Sequence, residues 1–146
     1  MTSNILLEVD EMIKRIVVLA AGFVGMAQTA GAAAPPSLYS APQAATGADI
    51  YTQNCAGCHG AALQGGVGPA LTGTSFAAPA GHTTLGGVFT ILAQQMPADR
   101  PGGLSHGQYE NVMAYILSKN GYAAGSAALG YQASLASSVP LVSQAR

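Results

Sequence analysis

Charged residues are scarce in this sequence: Asp, Glu, Lys and Arg together make up 8% of its 146 residues. So low a content excludes a charge-rich disordered protein, and it offers no basic face for binding nucleic acid. From position 33 onward the formal charges cancel. The acidic residues there are Asp49, Asp99 and Glu110, and the basic ones are Arg100, Lys119 and Arg146. Long-range electrostatic steering of a partner should therefore be weak.

Large aromatic side chains and cysteines are also few. Tryptophan is absent, phenylalanine occurs three times, and the only two cysteines are Cys55 and Cys58. No stretch alternates apolar and polar residues with a period of two, so no β-strand is predicted, and no internal repeat is visible. The length has room for one domain.

The N-terminal residues resemble a secretory leader. Lys14 and Arg15 precede an apolar run at 16–27, and Ala30-Gly31-Ala32 then fits an A-x-A cleavage site, which is the three-part layout of a signal peptide. The apolar run is too short to be a membrane anchor, since crossing a bilayer takes about 20 residues. We therefore expect export, with residues 1–32 removed near Ala32 and no membrane span afterwards.

The first residues do not fit that leader. Glu8, Asp10 and Glu11 stand where a signal peptide has a positive segment. A start at Met12 removes all three acids, so we hypothesise that translation begins there and that the mature chain begins near Ala33.

The mature chain divides into three parts by composition. Residues 33–45 are rich in proline and alanine and are predicted to be a linker. Residues 46–122 are predicted to form the folded domain. Residues 123–146 are mostly small, with apolar side chains too scattered to define a face, so we leave this tail unassigned and expect truncation after Ala123 to leave the site unchanged.

Three helices are predicted in the domain. The first begins at an N-cap on Thr46 and runs toward Cys55. The second spans 84–95, where apolar residues recur at i, i+3, i+4 and i+7. The third follows a capping box of Ser105 and Gln108 and stops at Asn120-Gly121.

The cysteines lie in the motif "CAGCH", which ends at His59. A disulfide across so short a loop would stabilise little, a zinc site would need a distant fourth ligand, and the βαβ pattern of a thioredoxin-like pair is absent. C-x-x-C-H is instead the attachment motif of c-type haem, with two thiols for the vinyl groups and an imidazole for the iron. A thiol or zinc role is the remaining alternative. With few aromatics available, we expect the haem to form the centre of the core and folding to depend on it.

The sixth iron ligand decides the chemistry of such a site, because methionine makes an electron carrier and an open position makes a catalyst or gas binder. Met96 directly precedes Pro97 in a loop, which suits a presented thioether. Met113 lies on the apolar face of the third helix and is predicted to fill the core. His82 and His106 are rival ligands that we expect to face solvent.

Three segments in order, "GADIYTQNCAGCHG", "GVGPALTG" and "QQMPADRPGGLSHGQYENVMAYILSKNG", make residues 46–122 similar to class I cytochromes c. They resemble most narrowly the bacterial monohaem domains that take electrons from periplasmic dehydrogenases. The resemblance implies an all-α cytochrome c fold of three to five helices wrapped around one covalently bound haem.

The resemblance also assigns roles to particular residues. It implies thioether bonds from Cys55 and Cys58, proximal ligation by His59 and distal ligation by Met96. It further implies that the Pro69 carbonyl orients the proximal histidine, that Leu71 packs on the haem, and that Gly47 and Tyr51 mark where the first helix crosses the last near Tyr115.

The function implied is electron transfer by a periplasmic cytochrome c with one haem c and His/Met ligation. It would be an electron carrier rather than an enzyme, either a free shuttle or the cytochrome subunit of a dehydrogenase complex. Its partners would be a dehydrogenase donor and an oxidase or another cytochrome as acceptor. The alternative is a haem enzyme or gas-binding sensor with an open sixth iron site.

Overall fold

Helices make up all the regular structure in the computed structural model, which describes residues 35–145. The bounds are α1 Ala41–Asn54, α2 Ala56–His59, α3 Gly73–Phe76, α4 Leu85–Gln95, α5 His106–Lys119 and α6 Tyr131–Leu135. The all-α class is thus confirmed. The described residues form six helices rather than the expected three to five, and three of the six, α2, α3 and α6, are only four or five residues long. None of these helices is both long and apolar enough to cross a membrane. The predicted leader, the start at Met12 and the mature N-terminus near Ala33 lie outside the described residues.

Helix α1 begins earlier than the sequence predicted. Its N-cap is Ser40 rather than Thr46. The Gln43 side chain accepts a hydrogen bond from the Ser40 backbone N–H at 3.2 Å, and Pro42 suits the first turn, where a missing N–H costs nothing. Residues 41–45, which we expected to be linker, are therefore helical. Tyr39 is buried just before them, its hydroxyl 2.6 Å from the Tyr122 carbonyl oxygen.

Helices α1 and α5 cross in direct backbone contact. A Cβ atom built on Gly47 would lie 1.9 Å from the carbonyl oxygen of Asn111, so only glycine permits this approach. One turn further along, the rings of Tyr51 and Tyr115 pack with centroids 5.3 Å apart. This is the crossing that the sequence resemblance implied.

The ends of α4 and α5 confirm the sequence predictions. Thr84 caps α4 by accepting the Gly87 N–H at 3.1 Å. Ser105 and Gln108 form a reciprocal capping box at the start of α5. Asn120 follows the last turn of α5.

The core lies between α1, α4 and α5. Met113 is fully buried there, at 0% exposure, as predicted for a core-filling methionine. The other fully buried large side chains are Tyr51, Tyr109, Phe89, Leu63, Leu117, Leu141, Val112 and Asn120.

The tail beyond Ala123 is folded onto the rest of the chain, which differs from our expectation. Leu129 and Leu141 are 4% and 1% exposed, and Tyr131 of α6 packs edge-on against Phe89 of α4 with ring centroids 5.4 Å apart. Apolar residues of the tail enter the core singly rather than as a helical face, so their spacing carried no periodic signal.

Candidate functional site

A cavity of about 520 Å³ opens beside the cysteine motif, within the range of about 300–1,000 Å³ that is usual for ligand pockets. Its lining is mainly apolar. The lining residues named in the sequence analysis are Cys55, Cys58, His59, Pro69, Leu71 and Met96. All six predicted site residues therefore meet at one cavity.

The two cysteines are presented by α2, a single turn that follows directly on α1. Backbone N–H groups of Cys58 and His59 both donate to the carbonyl oxygen of Cys55, at 3.1 and 2.9 Å, which brings the three motif residues into one turn. Both thiols are free, with Cys55 half-buried and Cys58 exposed. Burial, with a smaller contribution from Cys58, raises the pKa of Cys55 to about 11. A thiol so hard to ionise is a poor redox nucleophile at neutral pH.

The His59 imidazole is fixed by a backbone acceptor. Its Nδ1 lies 2.8 Å from the carbonyl oxygen of Pro69. Because a carbonyl can only accept, Nδ1 carries a proton, so Nε2 is the nitrogen left to bind a metal. This is the contact that the resemblance implied for Pro69. The ring also needs a glycine beside it, because a Cβ on Gly68 would stand 2.7 Å from the imidazole Cε1.

The loop after His59 is tied back to the helices. The Tyr51 hydroxyl donates to the Gly60 carbonyl oxygen at 2.8 Å, and the Gly68 N–H donates to the Cys58 carbonyl oxygen at 3.0 Å. Burial, followed by the neighbouring Cys55 and Tyr115, raises the pKa of Tyr51 to about 12. Its hydroxyl therefore stays protonated at neutral pH and can remain the donor that anchors this loop.

Met96 is the C-cap residue of α4 and is half-buried. The buried Tyr109 hydroxyl donates to the Met96 carbonyl oxygen at 2.7 Å. Arg100, further along the same loop, hydrogen-bonds to Asn54 at the end of α1. The backbone that carries the thioether is thus held from both α5 and α1.

The rival ligands lie elsewhere. His82 is exposed, and so is His106, whose ring stacks on Tyr131 with centroids 3.6 Å apart. Met113 is enclosed in the core. None of the three lines the cavity, whereas Met96 shares it with His59.

Sequence reasoning missed several residues of this site. The apolar wall comes from Val88, Ile91 and Leu92 of α4 and from Val112 and Ile116 of α5. The helical spacing i, i+3 and i+4 on α4 could have indicated this wall. The support of Met96 by Tyr109 had no comparable signal, because nothing in the sequence relates a hydroxyl to a carbonyl 13 residues away.

The residues present fit a c-type haem. Two free thiols, an imidazole with a free Nε2 and a thioether meet at one largely apolar cavity, which is the donor set that such a group requires. The zinc alternative finds less support. Within residues 35–145, no three His, Cys, Asp or Glu side chains are grouped so that they could hold a metal ion.

Comparisons with known proteins found a family match and a structural match. The family model described as cytochrome c oxidase, cbb3-type, subunit III matches residues 42–116, which is more than half of the chain. Among solved structures, the chain is similar to one in the crystal structure of the sulfane dehydrogenase SoxCD from Paracoccus pantotrophus, with 22% identity and a TM-score of 0.48. That match covers 74% of this chain and 66% of the other, so the chain spans less than two thirds of that relative's length. No curated protein matches.

Proposed function

The chain belongs to the cytochrome c family described as cytochrome c oxidase, cbb3-type, subunit III, and from this premise we propose that it is a periplasmic electron carrier with His59 and Met96 as axial ligands. It is a class I c-type cytochrome, its cofactor is covalently bound haem c, and its role is electron transfer. The iron ligands, the redox partners and the periplasmic location are proposed in addition.

One observation carries the ligand proposal: His59 and Met96 line the same cavity as both cysteine thiols. Cys55 and Cys58 would hold the group through thioether bonds. His59 would bind through Nε2, since Nδ1 is engaged by Pro69. Leu71 would pack on it from the loop side.

When bound, haem c supplies reversible one-electron chemistry. The chain's own residues would set how that electron is carried. Met96, a soft ligand, favours the reduced state and raises the potential. With His59 and Met96 both engaged, no bond from protein to iron has to form or break during transfer. The apolar walls of α4 and α5 would exclude water from the site.

The rim of the cavity supports a role in docking redox partners. Val67 is 93% exposed and Ile91 is 50% exposed, and both line the cavity. Exposed apolar surface marks an interaction site when it is contiguous, and these two side chains extend the apolar lining of the cavity toward solvent. The donor would be a dehydrogenase and the acceptor an oxidase or another cytochrome. The chain itself would be a carrier rather than an enzyme, free or as a subunit of a dehydrogenase complex.

The ferric absorption spectrum of the purified holoprotein tests this function. A Met96 thioether on the iron should give a sulfur-to-iron band near the red end of the visible range, and the reduced protein should bind carbon monoxide poorly. An absent band together with fast carbon monoxide binding would instead establish the open-site alternative, a haem enzyme or gas sensor.

A further inference from the structure

The C-terminal segment, residues 124–145, lies beyond the part of the chain that the family model matches. It contributes no residue to the lining of the haem cavity. It nevertheless bonds to two parts of the chain that do line the cavity, namely α4 and the segment 69–77, which contains α3.

The first attachment is at the start of α4. The backbone N–H groups of Leu85 and Gly86 donate to the carbonyl oxygens of Val139 and Ser137, both at 2.9 Å. The first N–H groups of a helix have no hydrogen-bond acceptors within the helix itself. The C-terminal segment supplies acceptors for two of them. Met96 is the C-cap residue of the same helix. The segment therefore fixes the end of α4 opposite the proposed ligand.

The second attachment reaches the loop on the His59 side. The Ser143 hydroxyl donates to Asn120 Oδ1 at 2.6 Å and accepts the Gly73 N–H at 3.1 Å. Asn120 is fully buried and donates through Nδ2 to the Leu71 carbonyl oxygen at 2.8 Å. Leu71 follows Pro69 by two residues, and Pro69 orients His59. Ser143 thus belongs to a hydrogen-bond network that extends to Leu71, two residues after the Pro69 carbonyl that contacts His59.

We propose that the C-terminal segment is a positioning element of the haem site, which holds α4 and the segment 69–77 in place so that Met96 and His59 keep their arrangement. This rests on the proposed ligation by Met96. It reverses the expectation from sequence that truncation after Ala123 leaves the site unchanged. A truncated chain could fail to fold for unrelated reasons, so point variants give the sharper test.

Gly86→Ala tests the first attachment. A Cβ atom there would stand 2.5 Å from the Ser137 carbonyl oxygen and 2.9 Å from that of Leu135, so the segment must move away. Alanine itself favours the helix over glycine, so α4 is not weakened directly. Gly87→Ala is the matched control, because its Cβ meets only the Thr84 hydroxyl oxygen, at 3.3 Å.

Ser143→Ala tests the second attachment by removing the hydroxyl that joins Asn120 to Gly73. Ser143→Thr keeps a hydroxyl and should restore the wild-type behaviour. This pair also carries the test if Gly86→Ala yields no holoprotein.

The measurement is the rate at which carbon monoxide binds the reduced holoprotein. Carbon monoxide can bind only in molecules whose iron is not bound by Met96, so the rate is proportional to the fraction of such molecules. We expect the association rate to rise about tenfold in Gly86→Ala, in proportion to that population, with a weaker sulfur-to-iron band. Ser143→Ala should change both in the same direction, and Gly87→Ala and Ser143→Thr should match the wild type. Wild-type rates and bands in Gly86→Ala and Ser143→Ala would overturn the proposal. A wild type without the band would instead count against ligation by Met96, so the two failures are distinguishable.

Discussion

The hydroxyl of Tyr109 donates a hydrogen bond to the backbone carbonyl oxygen of Met96, 2.7 Å away. The same hydroxyl oxygen lies 3.3 Å from the backbone N–H of Leu104 and accepts from it. Tyr109 is only 1% exposed, so its hydroxyl is shielded from bulk water. One buried hydroxyl therefore joins both ends of the loop 96–104 to α5.

Tyr109→Phe should weaken this loop without changing the packing of the ring. The substitution leaves a backbone carbonyl and an N–H without their partner, at a cost of about 1–3 kcal/mol. Denaturant unfolding of the holoprotein measures this loss, and the sulfur-to-iron band should weaken with it.

Tyr115→Phe is the matched control for that substitution. The ring of Tyr115, rather than its hydroxyl, makes the contacts with Tyr51 and with the Lys119 ammonium group. Stability and spectrum should therefore stay close to the wild type. An equally small effect in Tyr109→Phe would show that its hydroxyl does not support Met96.

Gly47→Ala should disrupt the crossing of α1 and α5. The added Cβ would lie 1.9 Å from the Asn111 carbonyl oxygen, and backbone atoms cannot rotate aside as a side chain can. Overpacking of this kind costs about 1–3 kcal/mol and occasionally more, so the free energy of unfolding should fall by at least that much.

The control for the crossing is Gly107→Ala on α5, where an added Cβ meets nothing within 4 Å. Alanine in place of glycine in a helix should raise the free energy of unfolding by up to about 1 kcal/mol. The two substitutions are chemically identical and should change stability in opposite directions. If Gly47→Ala were as stable as the wild type, the helices would not be in the described contact.

The features that the sequence predicted correctly depend on residues close together in the chain. Local signals were sufficient for α4 and α5, since the apolar spacing over 84–95 predicted α4, and the capping box at Ser105 and the stop at Asn120 predicted the ends of α5. It was also sufficient for the cysteine motif, whose spacing itself is the signal. The capping pair of Ser40 and Gln43 was equally local, and reading it would have placed the start of α1 correctly.

The long-range supports could not be predicted in the same way. The Ser143 hydroxyl reaches Asn120 across 23 positions, and Gly73 across 70. Such bonds use single polar side chains and a backbone N–H group, which leave no periodic pattern in a sequence. The C-terminal segment therefore looked featureless, although its backbone caps α4.

Cys55→Ala and Cys58→Ala should each leave at most one thioether bond. Retention of the haem and folding should be linked, because the bound group would fill the apolar cavity lined by α4 and α5. We expect a sharply lower yield of mature holoprotein from either variant, measured as the ratio of haem absorbance to protein. Normal, soluble and fully loaded protein from both variants would contradict covalent attachment through this motif.

Met96→Ala should separate the electron-carrier function from its open-site alternative. Replacing the soft thioether by water should abolish the sulfur-to-iron band and lower the reduction potential substantially, because a ligand that favours ferrous iron is lost. The reduced variant should then bind carbon monoxide readily.

Met113→Leu is the control, since Met113 is 0% exposed in the core and is not among the residues that line the cavity. A swap of similar volume should cost less than about 1.5 kcal/mol of stability and leave the band intact. If Met96→Ala kept the band, or if Met113→Leu lost it, Met96 would not be the distal ligand.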